Sequence, residues 1–167
     1  NDFTSVVYDN QMFVMGGKDA SSKFNDVWSS SDGSTWNLVT ATAGWSGRNA
    51  HTSVVYNHQI FVMGGLDSSR FNDVWSSSDG STWVEVTDGA GWSARNALTS
   101  LVYDNKMFVM GGDDGSSRFN DVWSTEVLPD STVVTSESSV EEKPIGAVWM
   151  ATHFALVGYA ALKYLNN

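Results

Sequence analysis

Short apolar runs, each closed by polar turn residues, recur along the chain in almost the same spelling. Ser5-Val-Val-Tyr-Asp-Asn-Gln-Met-Phe-Val-Met-Gly-Gly17 returns as Ser53 to Gly65 and again as Ser100 to Gly112. A second phrase follows each time, as Phe24-Asn-Asp-Val-Trp28, Phe71 to Trp75 and Phe119 to Trp123. The serines are spaced by 48 and then 47 residues. Within the second copy, residues 52–56 are β-branched and aromatic and predict a strand. Asn57-His58 makes a tight turn, residues 60–63 return, and Gly64-Gly65 closes the run with a pair that tolerates positive φ and close backbone approach. Residues 72–76 predict a third strand, Asp79-Gly80 a hairpin turn, and residues 82–86 an alternating fourth strand. The fold class this predicts is all-β.

A period of this length marks units that cannot bury their own apolar face and must stack. The apolar strand ending in Gly-Gly, the Asn-Asp-Val-Trp phrase and a second Trp eight residues on together resemble the kelch repeat, in the form shared with galactose-oxidase-type propellers. The residues concerned are Gly16, Gly17, Gly64, Gly65, Gly111 and Gly112, with Trp28, Trp36, Trp75, Trp83 and Trp123. Arg48 and Arg95 stand where kelch repeats often carry an Arg before the innermost strand. The resemblance covers residues 1–135 and implies a partial β-propeller, one four-stranded blade per repeat, that binds rather than catalyses. The third copy departs from the pattern. Ser131 replaces the second Trp, Leu128-Pro129-Asp130 replaces the Asp-Gly turn, and residues 132–135 match the fourth strand, as in a worn terminal unit. Three blades fall short of the roughly four to eight of a closed propeller, so upstream blades, a second protomer or another protein is expected at the open ends. The first residues align with the interior of a repeat, which suggests a segment upstream of Asn1.

Beyond the repeats the composition changes. Residues 136–144 are polar and acidic and read as a linker. Residues 145–165 contain no Asp or Glu and one cation, Lys163. As a helix they would span roughly 31 Å, about one hydrocarbon core, which predicts a single transmembrane helix in a lipid bilayer. The competing reading is a C-terminal helix docked on the blades. Lys163 against Glu137, Glu141 and Glu142 places the blades on the non-cytoplasmic (lumenal or extracellular) side. Ala147, Ala151, Ala155 and Gly158 mark a helix-packing face. His153 lies near the middle of the span. It is a candidate ligand of chlorophyll or haem, a candidate interhelical hydrogen-bonding group, or incidental.

Nine Lys and Arg against nineteen Asp and Glu give a net charge of −10, which argues against nucleic acid as partner. Cysteine is absent, excluding disulfides and thiolate metal sites. The Ser-Asp-Gly-Ser-Thr-Trp turns at residues 31–36 and 78–83 resemble the Asp-box hairpins of sialidase-type propellers but are one residue short. Galactose-oxidase chemistry lacks its Cys–Tyr pair. Asp19, Asp67 and Asp114, near Lys23, Arg70 and Arg118, fit local ion pairs better than calcium. Residues that recur in every copy, such as Asp26, Asp73 and Asp121, are needed by the blade. A site is expected where the copies differ, as at Phe3/His51/Leu98, Lys18/Leu66/Asp113 and Asn10/His58/Asn105, and these sets hold no catalytic constellation. The expected function is a non-catalytic, membrane-anchored interaction scaffold, an accessory subunit of a membrane complex, photosynthetic or respiratory. The alternative is an anchored receptor-type propeller for a carbohydrate or protein, and a propeller enzyme comes third.

Overall fold

A computed structural model of the chain describes residues 1–125 and the backbone of one strand at Tyr159–Leu162. The first sheet holds β1 (Thr4–Tyr8), β2 (Gln11–Lys18), β3 (Lys23–Ser30) and β4 (Asn37–Thr40). The second holds β5 (Thr52–Tyr56), β6 (Gln59–Met63), β7 (Val74–Ser77) and β8 (Val84–Thr87). The third holds β9 (Thr99–Tyr103), β10 (Lys106–Met110), β11 (Val122–Thr125) and β12 (Tyr159–Leu162). Each sheet is an antiparallel meander in sequence order. The tips between the first two strands are two-residue turns, Asp9-Asn10, Asn57-His58 and Asp104-Asn105, with positive φ at both positions. That backbone twist matches the twist of the flanking strands, and Asn and Asp tolerate it best among non-glycines. The later Asp-Gly turns are held differently. Asp32 Oδ1 accepts the N–H groups of Ser34 and Thr35, and Asp79 Oδ1 those of Ser81 and Thr82. The Thr35 and Ser34 N–H groups hold the Asp32 carboxyl below its ordinary range.

The core lies between sheets. In β6 the side chains alternate, so Ile60 and Val62 pack with Phe13, Met15 and Val27 of the first blade. Phe61 and Met63 pack the other way, with Met107 and Val109 of the third. A central strand buried on both faces therefore reads as a continuous apolar run. Its neighbours β2 and β10 each bury one alternate set and leave the other half-buried. The innermost strands β1, β5 and β9 lie side by side, as blades fanned around one axis require.

Two expectations change. The third strand of the second blade begins at Val74 rather than Asn72. Asn72 and Asp73 are used in the preceding loop, where their side chains hold neighbouring segments. In the third sheet, the place beside β11 is held by Tyr159–Leu162. These four residues are extended and paired, Val122 with Leu162 through Thr125 with Tyr159, and are not helical. An exposed strand edge gains backbone hydrogen bonds from any extended segment, and an uncharged one suits it. The rest of the expected helix, with Ala147, Ala151, His153, Ala155 and Gly158, lies outside the described residues, as do residues 132–135 and the linker. No helix among the described residues is long and apolar enough to cross a membrane.

Candidate interaction surface

Each junction between blades is closed by the same set of parts. After β4 the chain crosses to the next blade through Ala43-Gly-Trp45, and after β8 through Ala90-Gly-Trp92. Asn25 donates from Nδ2 to the Ala43 and Trp45 carbonyls, and Asn72 does the same to Ala90 and Trp92. Trp45 and Trp92 are driven fully into the two cores. The glycine inside each Ala-Gly-Trp lies under the blade tryptophan. A Cβ on Gly44 would come within 3.0 Å of Trp75, and one on Gly91 within 3.1 Å of Trp123. Trp83 is buried in the first junction. Trp28 and Trp36, at the matching places of the first blade, have no preceding blade among the described residues and are 36% and 37% exposed.

Arg48 and Arg95, both fully buried, then lock the blade that follows. The Arg48 guanidinium forks onto Asp73 at 2.6 and 2.7 Å, donates to the Gly64 carbonyl at 2.9 Å, and stacks 4.2 Å above the Phe71 ring. Arg95 repeats this with Asp121, Gly111 and Phe119. Bidentate geometry and a flat ring are what distinguish Arg from Lys at such a place. Asp26, at the matching position of the first blade, accepts only the Trp28 indole N–H among the described residues.

The Gly pairs sit where two copies of the variable position meet. Gly65, at φ +100, faces His51 of its own blade, and Gly64, at φ +61, faces Leu98 of the next. Gly16 likewise faces His51, and Gly17 faces Phe3. His51 and Leu98 are therefore packing material between blades, while Phe3, on the first blade, is 55% exposed. His51 is 6% exposed, beside Trp45, and its pKa is lowered to about 3 by burial first and by the Arg48 charge second. The set Lys18/Leu66/Asp113 lies on the rim. Asp113 accepts Arg70 from the neighbouring blade, and Lys23 reaches across to Asp67. Lys23 and Arg70 thus pair between blades rather than within one loop, while Arg118 stays beside Asp113 of its own loop.

The third variable set is the one that opens to solvent. The hairpin tips line a groove of about 690 Å³ that runs across all three blades. Val7, Val55 and Val102 line it, and Asp9, Asn57, His58 and Asn105 bring carboxylate, amide and imidazole groups to the same groove. Tyr8 Oη donates to the His58 carbonyl at 2.9 Å and Tyr56 Oη to the Asn105 carbonyl at 3.0 Å, so each blade fixes the next tip. A second groove of about 390 Å³ lies between the first two blades, lined by Trp75, Glu85 and Asp88 together with the Arg48–Asp73 pair.

Blades of this build, buckled by buried Arg–Asp pairs and joined through glycine pairs, define a kelch-type propeller segment. The chain matches the KLHDC2/KLHL20/DRC7 Kelch-repeats domain over residues 2–160 and belongs to that family. No curated protein matches it. Kelch repeats are generally non-enzymatic interaction domains, so this chain carries an interaction scaffold with protein partners. The Asn-Asp-Val-Trp phrase and the paired glycines were visible as repeats. The Arg–Asp fork and the Trp45 and Trp92 plugs were not, although the twice-written Ala-Gly-Trp was an available signal.

Proposed function

We propose that the chain binds a segment of another protein in the groove at the hairpin tips. The observation that carries this reading is the groove's composition. Every blade supplies the same valine to the lining, while the tip residues that join it change from Asp9 to Asn57 and His58 to Asn105. A constant apolar lining supplies affinity, and varied polar groups beside it supply selectivity. The test is selection of peptides from a random display library on the purified chain, followed by fluorescence anisotropy on the selected sequences. Val55→Glu and His58→Glu should each weaken binding at least ten-fold, and Glu85→Lys, on the outer strand β8, should leave it unchanged. Binding that ignores both groove variants refutes the assignment.

The membrane-anchored form of the scaffold, an accessory subunit with His153 against chlorophyll or haem, is supported by the apolar stretch at residues 145–165, whose one charged residue is Lys163. It competes with β12 for the same residues. Without Tyr159–Leu162, residues 145–158 would make a helix of roughly 21 Å, short of the roughly 30 Å hydrocarbon core. An anchored chain must therefore release β12 from β11. Carbonate washing of membranes from expressing cells decides it. A chain retained until detergent is added supports anchoring, and a chain that washes off overturns it.

A further inference from the structure

Several of the apolar side chains that the first and third blades leave exposed lie on the two ends of the fan. Strand register puts Val7 with Met12, and Ser5, Val14, Trp28 and Leu38 in one row, on the face of the first blade turned away from the second. On the third blade, register puts Leu101 with Phe108, and Thr99 and Val122 with Met110, on the face turned away from the second. Val7 is 70% exposed and Tyr103 72%. The first face carries the positions that Val55, Ile60, Val62 and Trp75 fill in the internal junction between the first two blades. The second carries those filled there by Phe13, Met15 and Val27. The two ends are thus the two halves of a junction this molecule already makes twice.

We propose that a second copy of this chain closes these faces, the first blade of each copy packing on the third blade of the other to give a six-bladed ring. Two polar contacts recur at both internal junctions, and each leaves one unused group at either end. Tyr8 reaches the His58 carbonyl and Tyr56 the Asn105 carbonyl, while the Tyr103 hydroxyl has no partner among the described residues and Asn10 offers the matching carbonyl. Thr4 pairs with Ser53 and Thr52 with Ser100, leaving Thr99 for Ser5. At the rim Lys23 reaches Asp67, while Arg70 reaches Asp113, one position earlier in the equivalent loop. Arg118 stands 92% exposed, 3.9 Å from Asp113, and the acid on the opposite end that matches Asp67 is Asp19. Six blades lie within the roughly four to eight of closed propellers, and closure removes both open ends. The Ala-Gly-Trp plug of the internal junctions has no counterpart among the described residues, so the proposal rests on the paired faces.

The experiment is the mass of the full chain in solution by light scattering after size exclusion. A discrete species at twice the 18.2 kDa of one chain is expected. Trp28→Glu and Phe108→Glu should each reduce it to single chains, and mixing the two variants should restore a two-chain species, because one junction then has both faces intact. Ser5→Cys with Thr99→Cys, in a chain that has no other cysteine, should give a covalent two-chain product on mild oxidation even if the glutamate variants fail to fold. Single chains at high micromolar concentration, open-ended polymers, or a dimer that neither crosslinks nor responds to either glutamate would each overturn the proposal.

Discussion

Replacing His51 by leucine, the residue the third blade carries at the matching place, isolates the effect of a buried imidazole on the junction between blades. His51 is wedged against Gly65 and Gly16 and lies 5.9 Å from the Trp45 ring. Burial and the nearby Arg48 guanidinium disfavour its charged form and lower its pKa from 6.5 to about 3. The Met15 backbone and the Asp73 carboxylate oppose this, but neither ring nitrogen reaches hydrogen-bond geometry with any group. The folded pKa is thus the lower one. Above pH 6.5 both states are neutral and His51 adds no pH dependence. Below it the unfolded chain takes a proton that the folded one refuses, so stability falls by about 1.4 kcal/mol per pH unit down to about 3. At pH 5 the loss is about 2 kcal/mol, a sizeable share of an ordinary domain's stability. Leucine removes that loss and also removes a buried polar ring with no partner, a further gain of about 1–3 kcal/mol at any pH. Leu98, 7% exposed against Gly64 and Gly112, shows that the site accepts the shape. Urea unfolding followed by tryptophan fluorescence between pH 5 and 8 gives the comparison. Carboxylates and the other two histidines are common to both proteins and cancel. Curves for parent and His51→Leu that stay parallel across this range would refute the assignment of acid sensitivity to His51.

The Arg–Asp forks should be far more costly to break than the rim pairs. Asp73→Asn leaves the Arg48 charge buried and half-paired and should cost about 3–5 kcal/mol in the same urea assay. Lys23→Met, at a partly exposed pair, should cost under about 1 kcal/mol. Gly65→Ala should prevent or strongly weaken folding, because its Cβ would lie 2.7 Å from the His51 Cβ at a φ of +100, while Gly89→Ala meets nothing within 4 Å and should be silent in thermal melts. Trp92→Ala should cost about 3–5 kcal/mol and lower the exchange protection of β6 and β10 together, since one side chain fills the core they share.

What the sequence reveals here is what repeats within one strand or one turn. Ser53 to Gly65 spells its own hairpin, since β-branched residues, a two-residue polar turn and a glycine pair each act locally. The Arg48–Asp73 fork is hidden because it joins residues 25 apart that share no pattern until the blade closes. The variable position at His51 invites a functional reading in a sequence, because difference between copies suggests selection for a ligand. The fold turns it inward, where a change of residue is absorbed by two facing glycines. At Tyr159–Leu162 the difference has another reason. An uncharged apolar stretch has no period to separate a helix from a strand, so Tyr159–Leu162 reads equally well as lipid-facing helix or as the fourth strand beside β11. The hairpin-tip groove was half legible. Asn10/His58/Asn105 stood out as varied, but nothing in the spelling says that residues of all three tips share one groove with Val7, Val55 and Val102.

The junctions described above draw half their residues from each of two adjacent repeats, with Trp45 and Arg48 carried on the chain between them. A gene that gains or loses one period of 47 or 48 residues therefore rejoins like with like, wherever the cut falls. The new boundary presents the same valines, glycine pair, plug and buckle as those already in use. Blade number in such a chain is free to drift by whole periods without any compensating substitution, and only the two outermost surfaces feel the change.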